Sequence, residues 1–316
     1  MSKQNVTIID ADSIVWTVAY KFRDKKIKNL LLISVKSFII DILEKTKANK
    51  YIGFLGSKDP NREPNFRFKI DPEYKSNRPE EPSWLVKWRP VIYDELVNSF
   101  GFQLIDGMEV DDACSIAANM LRDEYNVTVA SPDKDLKQIP DITYYNYQKH
   151  ESVYIDTVEA ARSLGVQTLK GDPTDGIKGL PKIGDKKAEA LLKDCQSVTD
   201  IKWTVLRMYA SYEEELRSKA YRRIIAEKNK NKTSNYDTTV YNSMQIERFI
   251  RIEVKEEVDK EIEQLIPGGW KKFLGIQYNL VKLLDSCDGF VMNSLQDYEN
   301  STEEDTDLED SILDGI

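Results

Sequence analysis

Glu109, Asp111 and Asp112 stand together in "MEVDDACSIAANML", directly ahead of Ala113, Ile116, Ala117, Met120 and Leu121. The steps of three and four between those apolar residues make one face of a buried helix. Acids in a first turn have a local use. The positive end of the helix dipole stabilises each by roughly 0.3–1 kcal/mol, and Asp caps free backbone N–H groups. Three acids in four positions also repel one another, and a bound cation would relieve that. On this stretch alone both uses stay open. Two further acidic groups share the setting: Asp10 and Asp12 close the run "VTIIDAD", and Asp133 and Asp135, in "SPDKDLKQI", follow "VTVAS". Oxygen donors without His or Cys suit Mg²⁺ or Mn²⁺, not zinc.

Positioning these groups is the work of short apolar runs that read as strands: 6–10, 51–56, 102–106, 127–131 and 142–147. Helical patterns lie between several of them, notably 30–47, 84–99 and 112–124. Strands alternating with helices predict an α/β fold with a mostly parallel central sheet flanked by helices. After about residue 157 the pattern is almost wholly helical, over 157–170, 185–194, 203–231 and 243–265. In an open parallel sheet, ligands bind beyond the carboxyl ends of the strands. The three acidic groups therefore converge on one sheet edge, where uncompensated carboxylates raise the cost of ionising one another.

A second stretch, "LKGDPTDGIKGLPKIGDKKAEALL" (169–192), puts Asp172 and Asp175 three residues apart, on one side of a turn. Gly176, Gly179 and Gly184 then surround Pro181 ahead of a helix that begins near Asp185. A glycine-permitted turn into a helix N-terminus exposes backbone N–H groups that can cradle phosphate. Lys178, Lys182, Lys186 and Lys187 add charge that holds phosphate without reading bases. An ordinary packed helix-turn-helix is the alternative. A third stretch, 65–96, interleaves Arg67, Lys75, Arg78, Lys87 and Arg89 with Phe66, Phe68, Tyr74, Trp84 and Trp88, as single-strand binding requires, though helix-rich charged surface loops can look similar. The run 217–232 has seven cations against one acid and suits either duplex or a solvated helix face.

The whole chain has 316 residues and a net charge of −9, but nine acids and no Lys or Arg lie from Asp297 onward. That end reads as a disordered acidic tail over 296–316, and the remainder is formally neutral, so any anion binding is local. No apolar run approaches the ~18 residues of a membrane span, and no signal-peptide pattern opens the chain. A cytoplasmic protein is expected. Cys114, Cys195 and Cys287 form no CxxC pair, which fits a reducing compartment and argues against structural zinc. His150 is the sole histidine, so a His-based triad is excluded unless His150 itself serves.

In order along residues 6–192, "IIDAD", "FRFKIDPEYKSNR", "MEVDDA", "SPDKDLKQIP" and "GDPTDGIKGLPKIGDKKA" resemble the motifs of the five-prime nuclease superfamily. Its members include flap endonucleases, the 5′-nuclease domain of bacterial DNA polymerase I and phage 5′→3′ exonucleases. The resemblance implies a PIN/5′-nuclease-like α/β domain over 1–156 with a helical arch at about 65–100. A helical DNA-binding part over 157–295 would carry a helix-hairpin-helix at about 170–192.

Carried over residue by residue, the resemblance implies two divalent ions, Mg²⁺ or Mn²⁺. Asp10, Glu109, Asp111 and Asp112 would surround the first; Asp133, Asp135, Asp172 and Asp175 would build the second, with Asp112 or Asp133 shared. Lys75 and Arg78 match catalytic cations at the foot of the arch, and Tyr74 an aromatic there. Arg67, Tyr74, Lys75, Arg78, Gly179, Lys182, Gly184, Lys186 and Lys187 make up the expected DNA-binding set. In relatives the matching hairpin grips duplex backbone and often a K⁺ ion through carbonyls. One position departs: where the family usually has Asp at the end of the second strand, this chain has Gly56. Asp59, three residues on, or Asp12 could supply the carboxylate.

The activity implied is 5′→3′ exonuclease and flap endonuclease hydrolysis of DNA phosphodiesters by two metals, in replication or recombination. An RNase-H-like primer remover acting on RNA–DNA hybrid is one alternative. A catalytically impaired binding protein on the same scaffold is another, favoured only by Gly56. A PIN-type ribonuclease shares the sheet and acids but would lack the glycine-lysine hairpin and the arch. The acidic tail suits either solubility or a basic replication protein.

Overall fold

The computed structural model describes residues 3–25, 27–59, 61, 63–230, 243–286, 292 and 294–298. The chain divides into two compact units: Met1–Pro64, Glu80–Asp156 and Leu283–Ile316 in one, Asn65–Pro79 and Thr157–Lys282 in the other. Along the chain the helices are α1 (Asp12–Lys21), α2 (Lys28–Lys45), α3 (Arg67–Ile70), α4 (Ser83–Phe100), α5 (Val110–Leu121), α6 (Thr157–Lys170), α7 (Asp185–Leu192), α8 (Val198–Lys230), α9 (Ser243–Leu265) and α10 (Gly269–Val281).

The first unit is built on β1 (Asn5–Asp10), β2 (Lys50–Gly56), β3 (Gln103–Ile105), β4 (Asn126–Ala130), β5 (Ile142–Asn146) and β6 (Glu151–Ile155), in spatial order β3-β2-β1-β4-β5-β6. Neighbours from β3 to β5 pair in parallel, and β6 runs antiparallel to β5. Ile8 and Ile9 of β1 are fully buried, as a central strand covered on both faces requires. The connections from β1 to β2 and from β3 to β4 go to opposite sides of β1, so the carboxyl ends of β1 and β4 flank a topological switch point. The fully buried Ala113 and Ala117 let α5 lie close against β1, β2 and β4, which carries its N-terminus to that point.

Strand β6 and helix α1 stand outside the sequence expectations. Glu151–Tyr154 of β6 are exposed, so the strand has no alternating burial to betray it. Helix α1 is rich in β-branched residues (Ile14, Val15, Thr17, Val18), which lower its intrinsic helix propensity. Strand β9 (Gln296–Asp297) pairs antiparallel with β2, so residues expected in the tail belong to the sheet. The remainder of the expected tail, from 299 onward, lies outside the described residues, as does Cys287.

The second unit is helical apart from the two-stranded ribbon of β7 (Gly171–Asp172) and β8 (Ile177–Lys178). Ile246, Ile250, Val254, Val258 and Ile262 line α9 at every fourth residue and pack with Ala220 and Ile224 of α8. The basic run of α8 faces acids on the same hairpin. Arg217 pairs with Glu213 at 2.6 Å and Asp259 at 2.7 Å, and Lys228 with Glu253 at 2.8 Å and Glu257 at 2.6 Å. Arg223 pairs with Glu261 and Lys219 with Glu215. Arg217, Arg223 and Lys228 thus tie α8 to α9, which disfavours the duplex alternative for these three cations of 217–232.

Residues 65–79, expected in the first domain as part of an arch, pack in the second unit. The reason lies in two side chains. Arg67 is 2% exposed, its Nε donates to the Leu280 carbonyl at 2.9 Å, and its Nη2 donates to the Lys282 carbonyl at 3.1 Å. Tyr74 is buried with Ile177, Leu280 and Val281.

Candidate active site

Asp10 ends β1 almost fully buried. Its Oδ2 accepts from the Ser131 hydroxyl at 2.7 Å, and its Oδ1 from the Asp12 N–H at 3.1 Å. Burial first and then the charge of Asp12 push its carboxyl up to about 7 against the opposing Ser131 hydrogen bond, with Asp133 adding less. Asp111 is likewise raised well above the usual carboxylate range, by desolvation first, then by Asp133, Asp10 and Glu109. Asp133 caps the 3₁₀ turn Lys134–Gln138, its Oδ1 accepting the Asp135 N–H at 2.9 Å. Asp135 and Asp133 both act electrostatically on Tyr144, whose hydroxyl burial pushes up to about 12.

Of the two uses left open for the acids before α5, the local one is taken up by Glu109 and Asp112. Glu109 and Asp112 form a reciprocal capping box. Asp112 is fully buried; its Oδ2 accepts the Glu109 N–H at 3.2 Å, and its Oδ1 the Leu284 N–H at 3.1 Å. Both its oxygens thus accept backbone N–H groups, which fixes the orientation of this carboxylate. Asp111, inside the first turn, is the acid electrostatically tied to Asp10 and Asp133.

No Lys or Arg among the described residues forms an ion pair with Asp10, Asp111 or Asp133. Among the described residues no three acids already converge in ligating geometry. The donor chemistry fits a hard divalent cation nevertheless. All donors are carboxylates, the charge of Asp133 raises both Asp10 and Asp111, and no Lys or Arg among the described residues neutralises these three.

Asp172 and Asp175 belong to the second unit. Asp172 closes an Asx turn, accepting the Thr174 N–H at 2.9 Å. Asp175 receives Lys75 Nζ at 3.6 Å, the Arg78 guanidinium, and the Tyr74 hydroxyl at 3.4 Å. A carboxylate already held by two cations is a poor metal ligand, so Asp175 serves to place Lys75 and Arg78. Lys75 itself takes a left-handed backbone, φ 59°, where its N–H donates to the Asp175 carbonyl at 3.0 Å.

The single-strand stretch is taken apart by folding. Arg67 and Tyr74 are buried, which removes both from the expected DNA-binding surface. Trp88 is buried, donating from its indole to the Phe22 carbonyl at 2.9 Å, and Arg89 pairs with Glu81 at 2.6 Å. The glycine-lysine turn keeps the expected form: α6, the β7–β8 ribbon and α7 follow in order. Gly179 crosses Gly171 so closely that a Cβ there would overlap the Lys170 carbonyl carbon. Gly184 caps α7 with open space around it, and Lys178, Lys182, Lys186 and Lys187 are all exposed.

Sequence inspection missed Ser131, Tyr93 and Tyr147. Tyr147 donates to the Asp10 carbonyl at 3.2 Å, and Tyr93 to the Gly56 carbonyl at 2.9 Å. Ser131 had a signal, since it opens the quoted "SPDKDLKQIP"; the tyrosines had none, because only the tertiary fold brings them there.

A parallel sheet with acids at its switch point and a lysine-rich hairpin defines a class of nuclease-like α/β proteins. The model of the family 5′–3′ exonuclease, N-terminal resolvase-like domain, matches residues 5–165, and the chain belongs to this family. DNA polymerase I of Pseudomonas aeruginosa is 28% identical over 219 residues, which is 65% of this chain but 22% of the polymerase. The 5′–3′ exonuclease of Mycoplasmopsis pulmonis is 28% identical over 210 residues, covering 61% of this chain and 68% of that protein. The structure of T5 5′-exonuclease with divalent metal ions (zinc) bound has a similar fold, at TM-score 0.51 and 16% identity over 89% of this chain and 99% of that one. No helix among the described residues is long and apolar enough to cross a membrane.

Proposed function

We propose that the chain is a Mg²⁺- or Mn²⁺-dependent 5′→3′ nuclease that hydrolyses DNA phosphodiesters, as an exonuclease and at 5′ flaps, in replication or recombination. The observation that carries this is the pair of raised carboxyls, Asp10 and Asp111, both acted on by the charge of Asp133, at the switch point of a 5′–3′ exonuclease fold. Such placement of uncompensated acids costs stability and is expected where a site is functional.

Asp10, Glu109, Asp111, Asp133 and Asp135 are the residues that would hold divalent cation. When bound, such a cation supplies Lewis-acid activation of water and of the phosphodiester and neutralises these carboxylates. Ser131 and Tyr147 fix the orientation of Asp10, and the capping box of Glu109 and Asp112 fixes the N-terminus of α5. In the second unit Lys75 and Arg78, prepositioned by Asp175, would bind a phosphate group of the substrate. The exposed lysines around Gly184, with the α7 N-terminus, would hold duplex backbone without reading sequence. K⁺ at the turn 179–184 is part of the same proposal.

The test is a 5′-flap duplex labelled separately at each end, incubated with the full chain in Mg²⁺ or in EDTA. Mg²⁺-dependent release of 5′ products, mono- or oligonucleotide, is expected. Tight binding without cleavage in Mg²⁺ and Mn²⁺ would refute the enzyme and leave a DNA-binding protein on this fold.

A further inference from the structure

At the carboxyl end of β2, Gly56 and Asp12 share one space. Asp12 Oδ1 accepts the Gly56 N–H at 3.1 Å, and a Cβ built on Gly56 would stand 3.0 Å from Asp12 Oδ2. Any side chain at 56 would therefore compete with this carboxylate for its position. The arrangement is fastened from two sides. The Tyr93 hydroxyl donates to the Gly56 carbonyl at 2.9 Å and lies 3.5 Å from Asp12 Oδ1. The Ala11 N–H donates to the Phe54 carbonyl at 3.1 Å, so the chain leaving β1 is held against β2 as it enters α1. Asp12 also stands beside Asp10, whose Oδ1 accepts the Asp12 N–H. Asp59, the other acid near the end of β2, is exposed and closes its own turn by accepting the Asn61 N–H at 2.8 Å.

We infer that Asp12 supplies the carboxylate of the metal centre at the end of β2, in the place that the missing side chain of Gly56 leaves open. The inference rests on the divalent-cation reading of the Asp10 cluster. Its content is an exchange between adjacent strands: the acid is presented from the start of α1, and glycine at 56 is the residue that makes room. Chemically the two origins are equivalent, because a carboxylate one strand away reaches the same edge of the switch point. Gly56 then marks a relocated donor and gives no support to an impaired site.

The test measures cation affinity directly. Metal-free full-length protein is titrated with Mn²⁺ by isothermal calorimetry, and folding of each variant is checked by circular dichroism. Asp12→Asn keeps the shape and the acceptor for the Gly56 N–H while removing the charge. It is expected to weaken Mn²⁺ binding about ten-fold or more. Asp12→Ala is expected to weaken it similarly, and Asp12→Ala with Gly56→Asp to recover most of the wild-type affinity. Wild-type affinity in Asp12→Asn would overturn the assignment alone. Loss in Asp12→Ala with no recovery in the double variant would overturn the exchange. No Mn²⁺ binding by the wild type would overturn the metal reading and this assignment with it.

Discussion

Asp10 is a buried acid that the fold keeps partly protonated, and this has a thermodynamic consequence. Its carboxyl rises from 3.8 to about 7 on folding, so between those values the folded chain binds more protons than the unfolded one. Stability from this group must then fall as pH rises through that window, by an amount on the order of a few kcal/mol. The melting temperature of metal-free protein is predicted to be lower at pH 8 than at pH 5, with the difference reduced in Asp10→Asn. Adding Mg²⁺ at pH 8 should raise it again, because the cation takes the place of the proton. A melting temperature that rises between pH 5 and pH 8, with no contribution lost in Asp10→Asn, would contradict this. Arg67 is the opposite case, a charge satisfied by backbone. Arg67→Met is predicted to destabilise the protein by about 2–4 kcal/mol in urea denaturation, because the Leu280 and Lys282 carbonyls lose a charged donor.

Elements differ in how openly they declare themselves. Strands β1, β2, β4 and β5 could be read from apolar runs bounded by turn residues, and so could the acids that follow them, because a parallel sheet ties strand order to ligand position. The stretch 65–96 could not. Its alternation of cations and aromatics suits a single strand equally well as a buried arginine, a buried tyrosine and an indole bonded to a carbonyl, and only tertiary packing chooses. Capping roles were legible in kind but not in allocation: three acids before α5 were visible, while the division between Asp112 and Asp111 depends on the Leu284 N–H, which is remote in sequence. For the hairpin, the exposed lysines beside α7 give a quantitative expectation. Lys186→Ala with Lys187→Ala should leave the melting temperature unchanged and lower the slope of log affinity against log salt by about 2, near 0.9 for each phosphate no longer neutralised. Gly179→Ala should instead unfold the crossing with Gly171 and reduce both duplex binding and stability. An unchanged salt slope in the double lysine variant would remove this turn from the DNA surface.

Across the protein, two compact units divide the chemistry. The first carries the carboxylates of the switch point; the second carries Lys75, Arg78 and the lysine-rich hairpin. Neutral balance in the body of the chain is consistent with this division, since many cations of the α8 and α9 hairpin are paired with neighbouring acids. Family membership came from motifs in order, and no single motif would have carried it. At Gly56, by contrast, the sequence left Asp59 and Asp12 as alternatives, and only the fold sets Asp12 beside the glycine and leaves Asp59 exposed in a turn of its own. If the proposed function holds, the acids at the switch point bind the cation that makes this chain a nuclease. Asp111→Asn is the sharpest probe of that, since Asp111 is the α5 acid tied electrostatically to both Asp10 and Asp133. In single-turnover cleavage of a 5′-flap duplex, the variant is predicted to keep wild-type DNA affinity and lose about 100-fold or more in Mg²⁺-dependent rate. Cleavage by Asp111→Asn at the wild-type rate would show that these acids do not hold the catalytic cation.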